Sequence, residues 1–266
     1  MKAGSLLFLG TILGLSSCMW GDDKKPKPDI TTDTLTYVNK TIKERATDCG
    51  NKPDSGCTVV KISYPMFNGQ DSLNEIVSYK LVNLFGADEP GTDLQQYTEH
   101  FLAGYNAFKK HDKRSAMFFT LDSHAKIIRQ DSSLTTLEIS GYNFKGGAHG
   151  SSITTFINWN TKAQKSIDLG DVLTDNYKDK LTAIADTIFR KQEKLSETAS
   201  LTNDYFFKDS KFALNENFSI TPLGIRFLYN QYEIKPYAAG TTDLFIPYAK
   251  IKSLLKPNTV ITQYLK

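Results

Sequence analysis

Few residues in this chain are of a type and spacing that could do chemistry. There are four histidines, at 100, 111, 124 and 149. One of them stands out by its setting, Gly146-Gly147-Ala148-His149-Gly150. Glycine reaches positive φ and lets another group approach the backbone closely. An imidazole held in such a run can act as a general base, bind a metal, or bond the backbone as a turn histidine. His100 and His111 are not spaced i, i+4, so they form no helical metal pair. His-Glu-x-x-His, Gly-x-Ser-x-Gly and P-loop patterns do not occur in the sequence. A two-carboxylate hydrolase stays open, because fold rather than spacing sets such a pair. No catalytic residue, metal ligand or cofactor is assigned. Gly146 and Gly147 are expected to serve backbone geometry, and His149 to orient the turn or contact a partner.

A second candidate lies far along the chain. Tyr232 and Tyr237 fall in the loop-like stretch from Asn230 to Gly240. Tyrosine gives an interface apolar area and a polar tip at low entropic cost. The alternative is that both rings pack inward as core. Asp168, Asp171 and Asp175 offer an acidic patch for a basic partner, but their place before an amphipathic stretch reads better as a helix start.

The N-terminus addresses the protein. Met1-Lys2 is followed by a short apolar run, residues 4–15, and then Leu15-Ser16-Ser17-Cys18. This order reads as a secretory signal over residues 1–17. The apolar run falls short of the ~20 residues needed to span a bilayer. Leu-Ser-Ser-Cys resembles the lipobox of bacterial lipoproteins, which implies that Cys18 is acylated and becomes the first mature residue. Residues 18–35 then read as the lipidated cysteine and a charged, proline-punctuated tether. Met19 after that cysteine implies outer-membrane sorting in a Gram-negative host, and otherwise the outer face of the cell membrane. The formal charge is +3. It falls to +2 without residues 1–17, which hold one lysine and no acid. That balance argues against nucleic acid as a partner.

Export also favours pairing Cys49 with Cys57 across the turn-rich residues 50–56. The expected result is a disulfide clamping a hairpin between residues 36–46 and 58–64, with Pro65 ending the second strand. A helix follows, with Ser72 and Glu75 as a capping box. A second starts near Thr92, with an aromatic stripe of Tyr97, Phe101, Tyr105 and Phe108 for the core. Residues 116–159 alternate as consecutive strands of an antiparallel meander. A third helix runs to about Leu195. A hairpin turns at Pro222-Leu223-Gly224, a short strand covers 244–248, a terminal helix 248–255, and a last strand 259–265. Helices and strands arrive in clusters, so the fold class is α+β, antiparallel sheets packed with three to four amphipathic helices.

Four blocks carry a family resemblance: Tyr142-Asn143-Phe144-Lys145-Gly146-Gly147-Ala148-His149, Ile167-Asp168-Leu169-Gly170-Asp171-Val172-Leu173, Phe218-Ser219-Ile220-Thr221-Pro222-Leu223-Gly224-Ile225, and Tyr232-Glu233-Ile234-Lys235-Pro236-Tyr237-Ala238-Ala239-Gly240. Their order resembles the C-terminal extracellular domain of RsiV-type anti-sigma factors. The part before it resembles the companion domain that also precedes the catalytic domain of PdaC-type deacetylases. The resemblance implies a companion domain over 36–130 and an RsiV-type domain over 131–266. RsiV senses lysozyme outside the membrane. This sequence departs from it by offering a lipid anchor in place of a spanning helix and anti-sigma segment, so binding without that signalling is expected. The resulting expectation is an envelope lipoprotein that holds a lysozyme-like muralytic enzyme or cell-wall glycan, through Gly146, Gly147, His149, Tyr232 and Tyr237. The alternatives are an enzyme modifying cell-wall polymer and a purely structural envelope lipoprotein.

Overall fold

The computed structural model describes residues 35–86 and 91–265. The expected signal peptide over residues 1–17, Cys18 and the expected tether before Leu35 lie outside the described residues. Among the described residues the class is α+β: a six-stranded sheet whose strands lie in chain order, a second sheet of three strands, and four α-helices.

β1 (Tyr37–Arg45) and β2 (Val59–Phe67) form the expected antiparallel hairpin. Cys49 and Cys57 are joined across its connection, with Cα atoms 5.3 Å apart and both side chains buried. Pro65 does not end β2. It pairs with Asn39 of β1, while β2 pairs with β3 only through Ser63. The proline therefore sits where the strand has one neighbour and its missing N–H costs least.

β2 and β3 (Thr120–Gln130) run parallel, with Val59 opposite Thr120. Parallel neighbours need a long crossover. α1 (Asp71–Val82) and α2 (Leu94–His111) provide it. The expected capping box at Ser72 is not formed. Asn74 instead accepts from the Phe67 N–H and donates to the Phe67 carbonyl, both at 2.8 Å, tying the helix to the strand before it. α2 is capped by Asp93, whose Oδ1 accepts from the N–H groups of Gln95 and Gln96. Its stripe is core, as expected: Phe101, Tyr105 and Phe108 surround Phe119 with ring centroids 5.3–6.2 Å away.

The antiparallel meander begins at β3 and continues through β4 (Leu134–Phe144), β5 (Ser151–Asn160) and the short β6 (Lys165–Ser166). The division expected at 130/131 falls between β3 and β4, which are paired neighbours in one sheet. Asp131-Ser132-Ser133 is the turn of that hairpin, as its composition predicts.

The second sheet is β7 (Phe218–Ile220), β8 (Gly224–Tyr229) and β9 (Thr242–Pro247). The short α3 (Leu169–Val172) and α4 (Tyr177–Gln192) lead into it. Phe189, Ile225, Phe227, Tyr229, Leu244 and Ile246 form its core. The terminal helix expected over 248–255 is two 3-10 turns, Tyr248–Lys250 and Lys252–Leu254. Tyr248, Ile251 and Leu254 are buried. That spacing of three suits a 3-10 turn, where i and i+3 eclipse. The last strand expected over 259–265 is absent; Thr262–Tyr264 forms another 3-10 turn.

That final turn is fastened to the first sheet. Asp131 is fully buried and accepts from the N–H groups of Ser133 and Leu134, each at 2.9 Å. It also accepts from Gln263 Nε2 at 3.1 Å and from the Tyr264 hydroxyl, and it pairs with Arg129 at 3.4 Å.

Candidate functional site

The turn between β4 and β5 needs its glycines. Gly146 and Gly147 have φ of 102° and 98°. L-residues avoid that region. A Cβ on Gly150 would lie 2.4 Å from the Tyr142 ring, so a side chain there would have to displace that ring. The backbone path leaves His149 on the surface.

The second tyrosine loop reaches the same place through β5. Above its short pairing with β6, the outer edge of β5 has no strand neighbour. An open edge exposes backbone donors and acceptors. Asparagine side chains fill them here, each carrying one acceptor and one donor group. Asn230 Oδ1 accepts from the Thr154 N–H at 2.8 Å, and Asn230 Nδ2 donates to the Thr154 carbonyl at 3.0 Å. Asn217 Oδ1 accepts from the Phe156 N–H at 3.2 Å, and its Nδ2 donates to the Thr154 carbonyl at 2.8 Å. In the other direction Asn158 of β5 accepts from the Ile220 N–H and donates to the Phe218 carbonyl of β7. Side-chain amides thus stand where a pairing strand would.

With Asn230 fixed, Tyr232 turns back toward the glycine run. Its own φ is 65°, in the left-handed region. His149 and Tyr237 stack, with centroids 4.0 Å apart and planes 17° apart. Tyr232 lies 5.5 Å from Tyr237 and 6.0 Å from His149. His149 Nδ1 is 3.0 Å from the Gly150 carbonyl, and Nε2 is 3.3 Å from the Tyr232 hydroxyl. A carbonyl only accepts, so Nδ1 carries the proton. In the neutral ring Nε2 then accepts from Tyr232.

The two stretches singled out in the sequence are therefore one cluster of three rings. Neither tyrosine is core: Tyr232 is 56% exposed and Tyr237 half-buried. The partners of His149 are a carbonyl, a phenol and two ring faces, the surroundings of a contact residue rather than of a base aligned by a carboxylate. The cluster offers flat apolar faces with polar tips. The asparagines that assemble it were not singled out in the sequence, because nothing local separates them from ordinary loop residues.

The acidic residues near 168 do not join this cluster. Asp171 Oδ2 accepts from the Asp168 N–H at 2.9 Å at the start of α3, as a helix-start residue should. Burial opposes its charge, but the Lys165 ammonium at 2.7 Å and that N–H hold its carboxyl below the usual range. Asp175 is 95% exposed. Among the described residues there is no group of three or more His, Cys, Asp or Glu placed to hold a metal, and no helix long and apolar enough to cross a membrane.

Fold and site together define a two-part α+β protein whose parts meet along one strand. Residues 51–152 match the family described as Deacetylase PdaC, and residues 170–249 match the family described as Protein of unknown function (DUF3298). The chain carries these two domains in that order. A crystal structure of a DUF3298 family member from Bacteroides fragilis NCTC 9343 is similar, with a TM-score of 0.68 and 24% identity over 88% of this chain and 99% of that one. A DUF3298 family protein from Pseudomonas aeruginosa PAO1 aligns with a TM-score of 0.68 and 23% identity, over 85% of this chain and 96% of that one. Identity this low speaks for the fold alone. No curated protein matches the chain.

Proposed function

We propose that this chain is an extracytoplasmic binding module of the bacterial envelope. Its anchor is the acylated Cys18. Its recognition surface is the cluster of His149, Tyr232 and Tyr237, and its partner is a lysozyme-like muralytic enzyme. The observation that carries this reading is the convergence of three exposed or half-buried rings from stretches 83 residues apart. A surface fold that needs only a turn there has no use for such a cluster, whereas clustered Tyr anchors mark interfaces. The PdaC and DUF3298 matches support an envelope setting.

The test is capture by immobilised residues 19–266. Lysozyme, purified glycan strands and envelope extract are offered separately. Retention of lysozyme that is lost with Tyr232→Gly and with Tyr237→Ala supports the proposal. Retention unchanged by either substitution moves the interface elsewhere. Retention of glycan alone replaces the partner. Altered muropeptide profiles after incubation with peptidoglycan would make the chain an enzyme.

A further inference from the structure

A cleft whose lining includes none of the three rings lies beside β5. It has a volume of about 460 Å³ and opens between α1, the middle of β5, the start of α4 and the segment before β7. That volume is in the ~300–1,000 Å³ range of small-ligand sites. Phe156 and Phe218 provide apolar walls. Lys80 of α1 stands on the first part of the fold, and Asp168, Tyr177 and Glu216 stand on the second. Tyr177 senses both acids: burial first, then Asp168 and Glu216, push its hydroxyl above the usual range. Among the described residues neither Lys80 nor Glu216 has a hydrogen bond or an ion-pair partner within 4.0 Å. One cavity is therefore lined by a cation from the first part of the fold, carboxylates from the second, and aromatic surface.

We propose that this cleft is a second binding site, for the main chain of a short zwitterionic peptide. Lys80 takes the terminal carboxylate. Asp168, Glu216 and the Tyr177 hydroxyl take the terminal ammonium. The peptide's apolar side chains lie over Phe156 and Phe218. A free carboxylate alone meets the acids, and a free amine alone meets Lys80, so the cleft selects a ligand carrying both ends. The site stands independently of the three-ring surface.

The experiment titrates the full chain with dialanine, N-acetyl-dialanine and dialanine amide, and follows backbone amide resonances by NMR. Dialanine is expected to shift the amides of Asn158, Ser166 and Tyr177. Blocking either terminus is expected to weaken binding by about tenfold or more, as for a charge-assisted bond left unmade. Lys80→Met should weaken dialanine and leave dialanine amide unchanged. Glu216→Gln should weaken dialanine and leave N-acetyl-dialanine unchanged. Cleft amides that stay still with dialanine overturn the proposal. So does equal binding of the free and blocked peptides, a result that requires no variant to fold. Lysozyme capture is read separately, so either result leaves the proposed function to its own test.

Discussion

Replacing His149 and Tyr237 by alanine, singly and together, tests whether the three rings form one structure. The rings stack at 4.0 Å but sit at the surface. An aromatic pair contributes about 0.5–1.5 kcal/mol beyond its buried area, and partial exposure puts this pair in the lower half. The bond from the Tyr232 hydroxyl to His149 Nε2 is long at 3.3 Å and adds about 0.5 kcal/mol. His149→Ala should therefore cost about 1 kcal/mol. Tyr237→Ala removes the same stack plus its half-buried ring, for about 1–2 kcal/mol. The double variant should cost less than the sum, with a coupling of about 0.5–1 kcal/mol. Urea unfolding of the four proteins reads this directly, at constant m-value. A coupling indistinguishable from zero would refute the stack, and with it the argument that the two stretches act as one surface.

Other outcomes follow from the same geometry. Asp131→Ala removes the acceptor of Arg129, Tyr264, the buried Leu134 N–H and the part-buried Ser133 N–H, so it should cost about 3–5 kcal/mol by urea unfolding, while the exposed Asp175→Ala stays within about 0.5 kcal/mol. Asn230→Ala frees the Thr154 N–H, while the Thr154 carbonyl keeps its bond from Asn217, and should cost about 1–2 kcal/mol, with faster hydrogen exchange at the Thr154 amide. Tyr232→Gly relieves a φ of 65° while removing the ring, so stability should hold or rise as lysozyme capture falls. Burial and the Glu193 carboxylate push the Tyr205 hydroxyl up to about 12. Its folded pKa lies above the unfolded value of about 10, so its contribution is complete below about pH 10 and lost as pH rises toward 12. Tyr205→Phe should flatten that limb of a urea-midpoint curve against pH.

The hairpin clamped by Cys49 and Cys57, the aromatic face of α2 and the α+β class were legible because each rests on short-range pattern. Turn residues between two cysteines, a 3.6-residue stripe and period-two alternation can all be read within a window. The errors came where a partner outside the element itself decides. Asn74 binds Phe67 and displaces the capping box expected at Ser72. β2 pairs with β3 across two helices, which no local period announces. The terminal stretch alternates enough to pass for a strand, yet Ile261 is buried and Tyr264 is drawn to Asp131. The glycine run and the tyrosine loop were visible separately, but their meeting depends on Asn217 and Asn230, whose side chains look like any other loop polar group.

β5 explains why the site takes this form. Its N-terminal end follows directly on the turn that holds His149, its open edge receives Asn217 and Asn230, and its middle lines the cleft with Phe156 and Asn158. Backbone pairing with a further strand would have closed that edge and continued the sheet. Side-chain amides satisfy the same groups while letting the second part approach at its own angle. A junction with the rings and the cleft both beside β5 is the consequence. Loosening Asn217 or Asn230 must therefore disturb the ring cluster through the loop that holds Tyr232. Changes at Lys80, which projects from α1 and touches none of these locks, should leave the rings in place.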